Sequence, residues 1–126
     1  MSIKSYQDLK AWQFSIDLAE QIYCITESFP KHELYQLSSQ MQRAAVSIPS
    51  NIAEGHARES SREFLHYLSI ALGSLAELET QLVLAQRRAY IIEKEQLHKT
   101  LVKTDEIGKM LRGLQKSLKA RIGTKE

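Results

Sequence analysis

Pro49 sits where the apolar pattern calls for an unbroken helix. Leu34, Leu37, Met41, Ala44, Ala45, Ile48 and Ile52 recur at the three-and-four spacing of one helical face, and this seam keeps its phase across the proline. Proline removes one backbone donor and disfavours helical dihedrals at the residue before it, here Ile48. A seam in phase on both sides predicts one helix kinked at Pro49 rather than two helices. Away from the seam runs a polar stripe, Arg43, Ser47, Asn51, Glu54 and Arg58, spaced four, four, three and four. At about 100° per residue these five fall within about 80° of one another. As a solvated face the stripe contributes little, its best feature being Glu54 followed four residues later by Arg58. As a packing surface, Ser47 bonds a carbonyl near the kink, while Arg43 and Glu54 cross to another helix or subunit. A structural or interface role is favoured over direct ligand binding.

The 126 residues fit one domain with a real core, and two prolines and five glycines leave room for long helices. No apolar run approaches the ~20 residues that span a bilayer, and MSIKSYQDLK does not read as a signal peptide. The expectation is a cytoplasmic protein with no membrane partner. The single Cys24 cannot form an internal disulfide, which fits a reducing compartment. Net charge is only +2, but its distribution is uneven: from Lys94 onward nine Lys or Arg face four Asp or Glu, leaving +5 there and −3 elsewhere. That asymmetry fits a basic patch on the last helix, or an ordinary solvated face.

The pattern predicts an all-α, antiparallel up-down-up-down four-helix bundle with helices over residues 6–28, 31–57, 61–88 and 94–122. Phe29-Pro30 ends the first helix, and Ser60 with Glu63 forms a capping box opening the third. Gly123 is expected to stop the fourth. Short links between long helices force antiparallel neighbours. Helix four buries Leu97, Leu101, Ile107, Leu111, Leu114 and Leu118. Helix one carries two apolar faces: Leu9, Trp12, Ile16, Ala19 and Tyr23 on one side, Phe14, Leu18, Ile22 and Ile25 on the other. A bundle helix needs one apolar face, so the second set is expected at a subunit interface. Helix three shows a weaker version, with Ile70 and Leu84 lying off its Phe64, Leu68, Leu75, Leu78, Leu82 seam.

Two Glu-x-x-His pairs, Glu63/His66 and Glu95/His98, bring a di-iron bundle to mind. Both pairs lie near helix starts, and antiparallel neighbours start at opposite ends, which separates the pairs by most of a helix length. No metal and no cofactor are expected. Cys24 has no His within sequence reach, the glycines are isolated, and Gly73-Ser74 reads as a close-approach point for a neighbouring helix. No catalytic constellation emerges, so the chain is expected not to be an enzyme.

The residues Leu9, Trp12-Gln13, Ile22-Tyr23, Thr26, Phe29-Pro30, Glu33 and Tyr35 begin a resemblance that is sharpest in Gln40, Arg43-Ala44-Ala45, Ser47-Ile48-Pro49, Asn51-Ile52-Ala53-Glu54-Gly55 and Arg58. It continues through Glu63-Phe64, Leu68, Ala71, Gly73-Ser74, Glu77 and Leu82. In these residues the chain resembles the four-helix-bundle proteins encoded in intervening sequences of bacterial large-subunit ribosomal RNA genes. That family is similar to the accessory variability determinant of diversity-generating retroelements, a pentameric barrel that binds nucleic acid and a reverse transcriptase. The resemblance implies a ring-like homo-oligomer, a pentamer, with RNA or DNA as partner, and a reverse transcriptase where the gene lies in a retroelement. On this chain the nucleic-acid surface is expected at Lys109, Arg112, Lys116 and Lys119, one stripe spaced three, four and three beside the helix-four seam. Binding would be charge-based and sequence-tolerant, since no aromatics interleave to stack bases. The alternative is a protein-interaction scaffold without nucleic-acid contact.

Overall fold

A computed structural model describes residues 5–125, with side chains to residue 123. The first residues of MSIKSYQDLK lie outside that range. Four α-helices make the fold: α1 (Lys10–Glu27), α2 (Leu37–His56), α3 (Ser61–Arg87) and α4 (Lys94–Lys125); no strand occurs among the described residues. Each helix packs on the next, and α4 closes the circuit onto α1. One continuous core fills the space between them, with Leu18, Ile22, Met41, Ile48, Ile52, Leu68, Leu78, Leu82, Ile107 and Leu111 all fully buried.

Helix starts and stops follow local chemistry, with three departures from expectation. The first helix is split: Ser5 caps a short 3-10 turn at Tyr6–Asp8, Leu9 is extended, and α1 begins only at Lys10. Pro30 is extended too and is followed by a second 3-10 turn at Lys31–Glu33, so α2 begins at Leu37 rather than residue 31. Gly123 does not stop α4, which continues to Lys125. Ser60 behaves as expected, its hydroxyl accepting from the Arg62 and Glu63 amides at 3.1 and 3.3 Å. At the far end of α3, Ala89 takes φ 61° and the Tyr90 amide bonds back to the Ala85 carbonyl at 2.9 Å. This is a left-handed helix stop of the kind glycine usually makes, with alanine in its place.

The two-sided reading of helix one is corrected. Leu18 and Ile22 are 0% exposed and Ile25 only 2%, so these three belong to the core of a single chain and not to a subunit interface. Phe14 is half-buried, with the Lys103 ammonium 4.5 Å above its ring. The reason lies in small residues. Ala11 and Ser15 share the inward face with Leu18 and Ile22, and the Ser15 hydroxyl is satisfied within the helix by the Ala11 and Trp12 carbonyls at 2.7 and 2.9 Å. Large side chains on the flanks, Trp12, Ile16 and Tyr23, made the wrong side look like the centre; Tyr23 is in fact exposed.

The helix with surplus apolar surface is α3. It is long and apolar enough to cross a membrane by length and composition, which corrects the expectation that no such run exists. It nonetheless lines the core through Leu68, Ala71, Leu75, Leu78, Leu82 and Ala85, as a central bundle helix does. Only 39% of its most apolar 18-residue stretch is buried, and Ile70, Val83 and Leu84 remain exposed.

Candidate interaction surfaces

Helix α2 runs through Pro49 without a break, and Ile48 and Ile52 on either side of it are fully buried in the same core. The proline has no amide to offer the Ala45 carbonyl one turn earlier. Of the polar stripe around it, Ser47 and Arg58 reach α3. Ser47 and Ser74 hydroxyls meet at 2.9 Å, and the Asn51 side-chain amide donates to the Ser47 carbonyl at 2.8 Å and to its hydroxyl at 3.0 Å. Asn51, not Ser47, therefore supplies the bond to a carbonyl beside the proline. Arg58 does not pair with Glu54; its guanidinium donates to the Tyr67 hydroxyl at 2.6 Å and lies 5.0 Å from that ring's centre. Arg43 and Glu54 are exposed and neither forms an ion pair within the chain among the described residues.

Close approach of α2 and α3 depends on Gly55, not on Gly73. A Cβ on Gly55 would stand 2.7 Å from the Tyr67 Cβ and 2.8 Å from the Phe64 ring, whereas one on Gly73 would meet nothing within 4 Å. Sequence reasoning missed both Gly55 and Tyr67. A glycine one turn from the end of an apolar helical seam was the available signal.

On α4, Lys109, Arg112, Lys116 and Lys119 are all exposed. From Ile107 through Gly123 there is no Asp or Glu. Lys109 reaches back to Asp105 at 3.2 Å, a solvated pair of little energetic weight. The Arg112 guanidinium folds over Gly108, and Gln115 donates to the Ser69 hydroxyl at 3.2 Å, so the stripe borders the α3 side of α4. The geometry leaves four cations on one accessible strip without neighbouring carboxylates, except beside Lys109.

Elsewhere the side chains do not converge on chemistry. Glu63, His66, Glu95 and His98 are all exposed, and no group of three His, Cys, Asp or Glu able to hold a metal occurs among the described residues. Cys24 is exposed at the rim of a groove of about 600 Å³ between α1 and α4, lined by Asp17, Glu20, Lys99 and Lys103 among others. At the end of the bundle where α1 meets α2 and α3 meets α4, Tyr90 donates to Glu33 at 2.9 Å and packs on Phe29, with ring centres 5.3 Å apart. A hydrogen bond to Tyr90 and the charges of Tyr90 and Glu33 raise the Arg88 pKa above its ordinary value, which leaves its charge unchanged at neutral pH. This cluster ties two connections together and is structural.

An all-α bundle of four helices, with a proline-bearing second helix fastened to the third by a serine pair and a buried glycine, is the class of protein defined here. Residues 7–113 match the family model described as 23S rRNA-intervening sequence protein, and the chain belongs to that family. It is also similar to the crystal structure, at 1.70 Å resolution, of a protein with unknown function from the S23 ribosomal protein family of Bacteroides thetaiotaomicron VPI-5482. The two share 29% identity with a TM-score of 0.75, over 84% of this chain and 95% of that one. No curated protein matches the chain.

Proposed function

We propose that this protein is a non-enzymatic, ring-forming homo-oligomer that binds RNA or DNA by charge, without reading sequence. The observation carrying the nucleic-acid reading is the acid-free second half of α4, which presents Lys109, Arg112, Lys116 and Lys119 on one exposed strip. Phosphate neutralisation needs accessible cations, of which Lys109 alone has a carboxylate beside it, and repetition around a ring multiplies a modest patch into a large one. The bundle in this reading runs up-down-up-down with α2 bent at Pro49. Contacts that pair Arg58 with Tyr67 and Ser47 with Ser74 support opposed directions for α2 and α3, since the numbering rises on one helix as it falls on the other. Assembly is supported by α3, whose apolar outer side a single chain leaves uncovered. The ring in this reading is a pentamer.

A mobility-shift series at low salt tests the binding. Wild type should retain RNA or DNA duplexes of any sequence. Affinity should fall steeply as salt rises, and replacing the four α4 cations by Gln should abolish retention. Equal retention by both proteins removes the patch. No retention by wild type favours the second reading, a protein-interaction scaffold, for which the exposed apolar side of α3 is the specific support.

A further inference from the structure

We infer that copies of this chain join head to tail, the outer ridge of α3 on one copy entering the groove between α1 and α2 on the next. The inference rests on the homo-oligomer proposed above and names its contact surfaces. Ile70, Glu77 and Leu84 are spaced seven and seven along α3 and all face solvent. Seven residues is close to two helical turns, so the three stand in a nearly straight row about 21 Å long. Reading along it, the row is apolar, acidic, apolar. Among the described residues Glu77 forms no ion pair; it accepts from the Gln81 side-chain amide at 3.4 Å.

The groove on the other side of α2 has the complementary character. It encloses about 350 Å³, and its lining includes Tyr23 from α1 with Arg43 and Val46 from α2. Tyr23 and Val46 are 48% and 41% exposed, which puts apolar surface on the facing edges of two adjacent helices. Arg43 is the one base in the lining and is likewise without an ion pair among the described residues. An apolar row centred on an unpaired acid thus has a match in an apolar groove holding an unpaired arginine. Arginine suits the role, since its planar fork can hold a carboxylate by two parallel bonds.

The relative placement of the two surfaces bears on closure. The groove lies between α1 and α2 and the ridge on α3, so only α2 separates them; they occupy neighbouring sides of the bundle, not opposite ones. Repeating a contact between neighbouring sides turns the chain of subunits, and a ring forms where that rotation closes, whereas opposite sides would extend a filament. The contact is heterologous, so every copy uses both surfaces.

The test is charge reversal, read by light scattering and sedimentation at low salt, with circular dichroism to confirm that each exposed-site variant stays helical. Wild type should run as an oligomer. Arg43→Glu and Glu77→Arg should each fall toward the 14.4 kDa chain mass, because each sets like charges against each other across the contact. Combining both changes in one chain should restore assembly, since every contact then sets a reversed groove against a reversed ridge whatever the number of subunits in the ring. An oligomeric wild type whose single variants keep full mass overturns this contact while leaving the homo-oligomer standing. A wild type that is monomeric overturns both. Rescue of Arg43→Glu by Glu54→Arg, and not by Glu77→Arg, would replace the head-to-tail contact with a two-fold one between α2 helices.

Discussion

On one side of α3, α2 approaches so closely that a single methyl group at Gly55 would collide with the Tyr67 Cβ; on the other side, α4 places Gly108 facing α3 with the tip of Arg112 and a Leu75 methyl as the nearest atoms. Both glycines are buried, and both lie in helices. Their neighbours differ in kind. Tyr67 Cβ is fixed to the α3 backbone and cannot step aside, whereas a guanidinium at the end of a long exposed side chain can. The α2–α3 junction adds polar contacts at 2.6 and 2.9 Å, while the α3–α4 junction has the Gln115–Ser69 contact at 3.2 Å. One junction is a fitted joint. The other is mostly an apolar stripe laid against an apolar stripe.

The largest expected effect is therefore at Gly55. Gly55→Ala gains about 1 kcal/mol of helix propensity but overpacks a contact in which backbone must move, a cost of about 1–3 kcal/mol and occasionally more. The net outcome is destabilisation, read as a lower urea midpoint with an unchanged slope. If Gly55→Ala unfolds at or above the wild-type midpoint, the two junctions are not different in the way described.

Next comes the serine pair. Ser47→Ala and Ser74→Ala should each lower stability by about 0.5–1.5 kcal/mol, since each removes the bond between the two hydroxyls, and Ser47→Ala also leaves the Ser74 hydroxyl without that partner. The double variant should lose less than the sum of the two, because neither partner is then left unsatisfied. A double-mutant cycle measures that coupling, and simple additivity would mean the contact contributes nothing specific. Asn51 complicates the Ser47 leg, as it also donates to the Ser47 hydroxyl at 3.0 Å, so the Ser74 leg is the cleaner one.

The contrast between junctions also explains what could be read without a structure. Four helices, the proline inside the second and the seam across it were legible, because periodicity and capping are local signals; Ile48 and Ile52 are buried as the seam requires. The inward face of α1 was not. Its centre is marked by Ala11 and Ser15, which carry almost no hydropathy signal, and by a serine whose hydroxyl is satisfied within its own helix. Arg58 shows a second limit. Glu54 four residues before it makes a standard helical pair, but Tyr67 on α3 offers a bond and a ring face together. Tertiary partners of that kind lie nine residues away in sequence and carry no local pattern. The basic strip of α4 was legible for the opposite reason: exposed charge is set by helix phase alone.

The smallest effect, and the sharpest check on the comparison, is at Gly108. A Cβ there would lie 3.2 Å from one Arg112 nitrogen, 3.4 Å from the other, and 3.5 Å from Leu75, the last an ordinary contact. Only Arg112 has to move, and it is exposed. Gly108→Ala should therefore realise the helix-propensity gain that Gly55→Ala cannot, raising stability by roughly 0.5–1 kcal/mol. The urea midpoint should rise, opposite in sign to the α2 variant although both replace a buried helical glycine by alanine. The same change leaves the charge of Arg112 in place and turns its side chain outward. Nucleic-acid retention in the mobility-shift assay should accordingly be kept, with the same slope against salt, because a phosphate contact depends on accessible charge and not on one rotamer. A loss of stability at Gly108→Ala would mean that α4 is fitted to α3 as closely as α2 is, and that the Arg112 side chain is held in place by the bundle rather than resting on it.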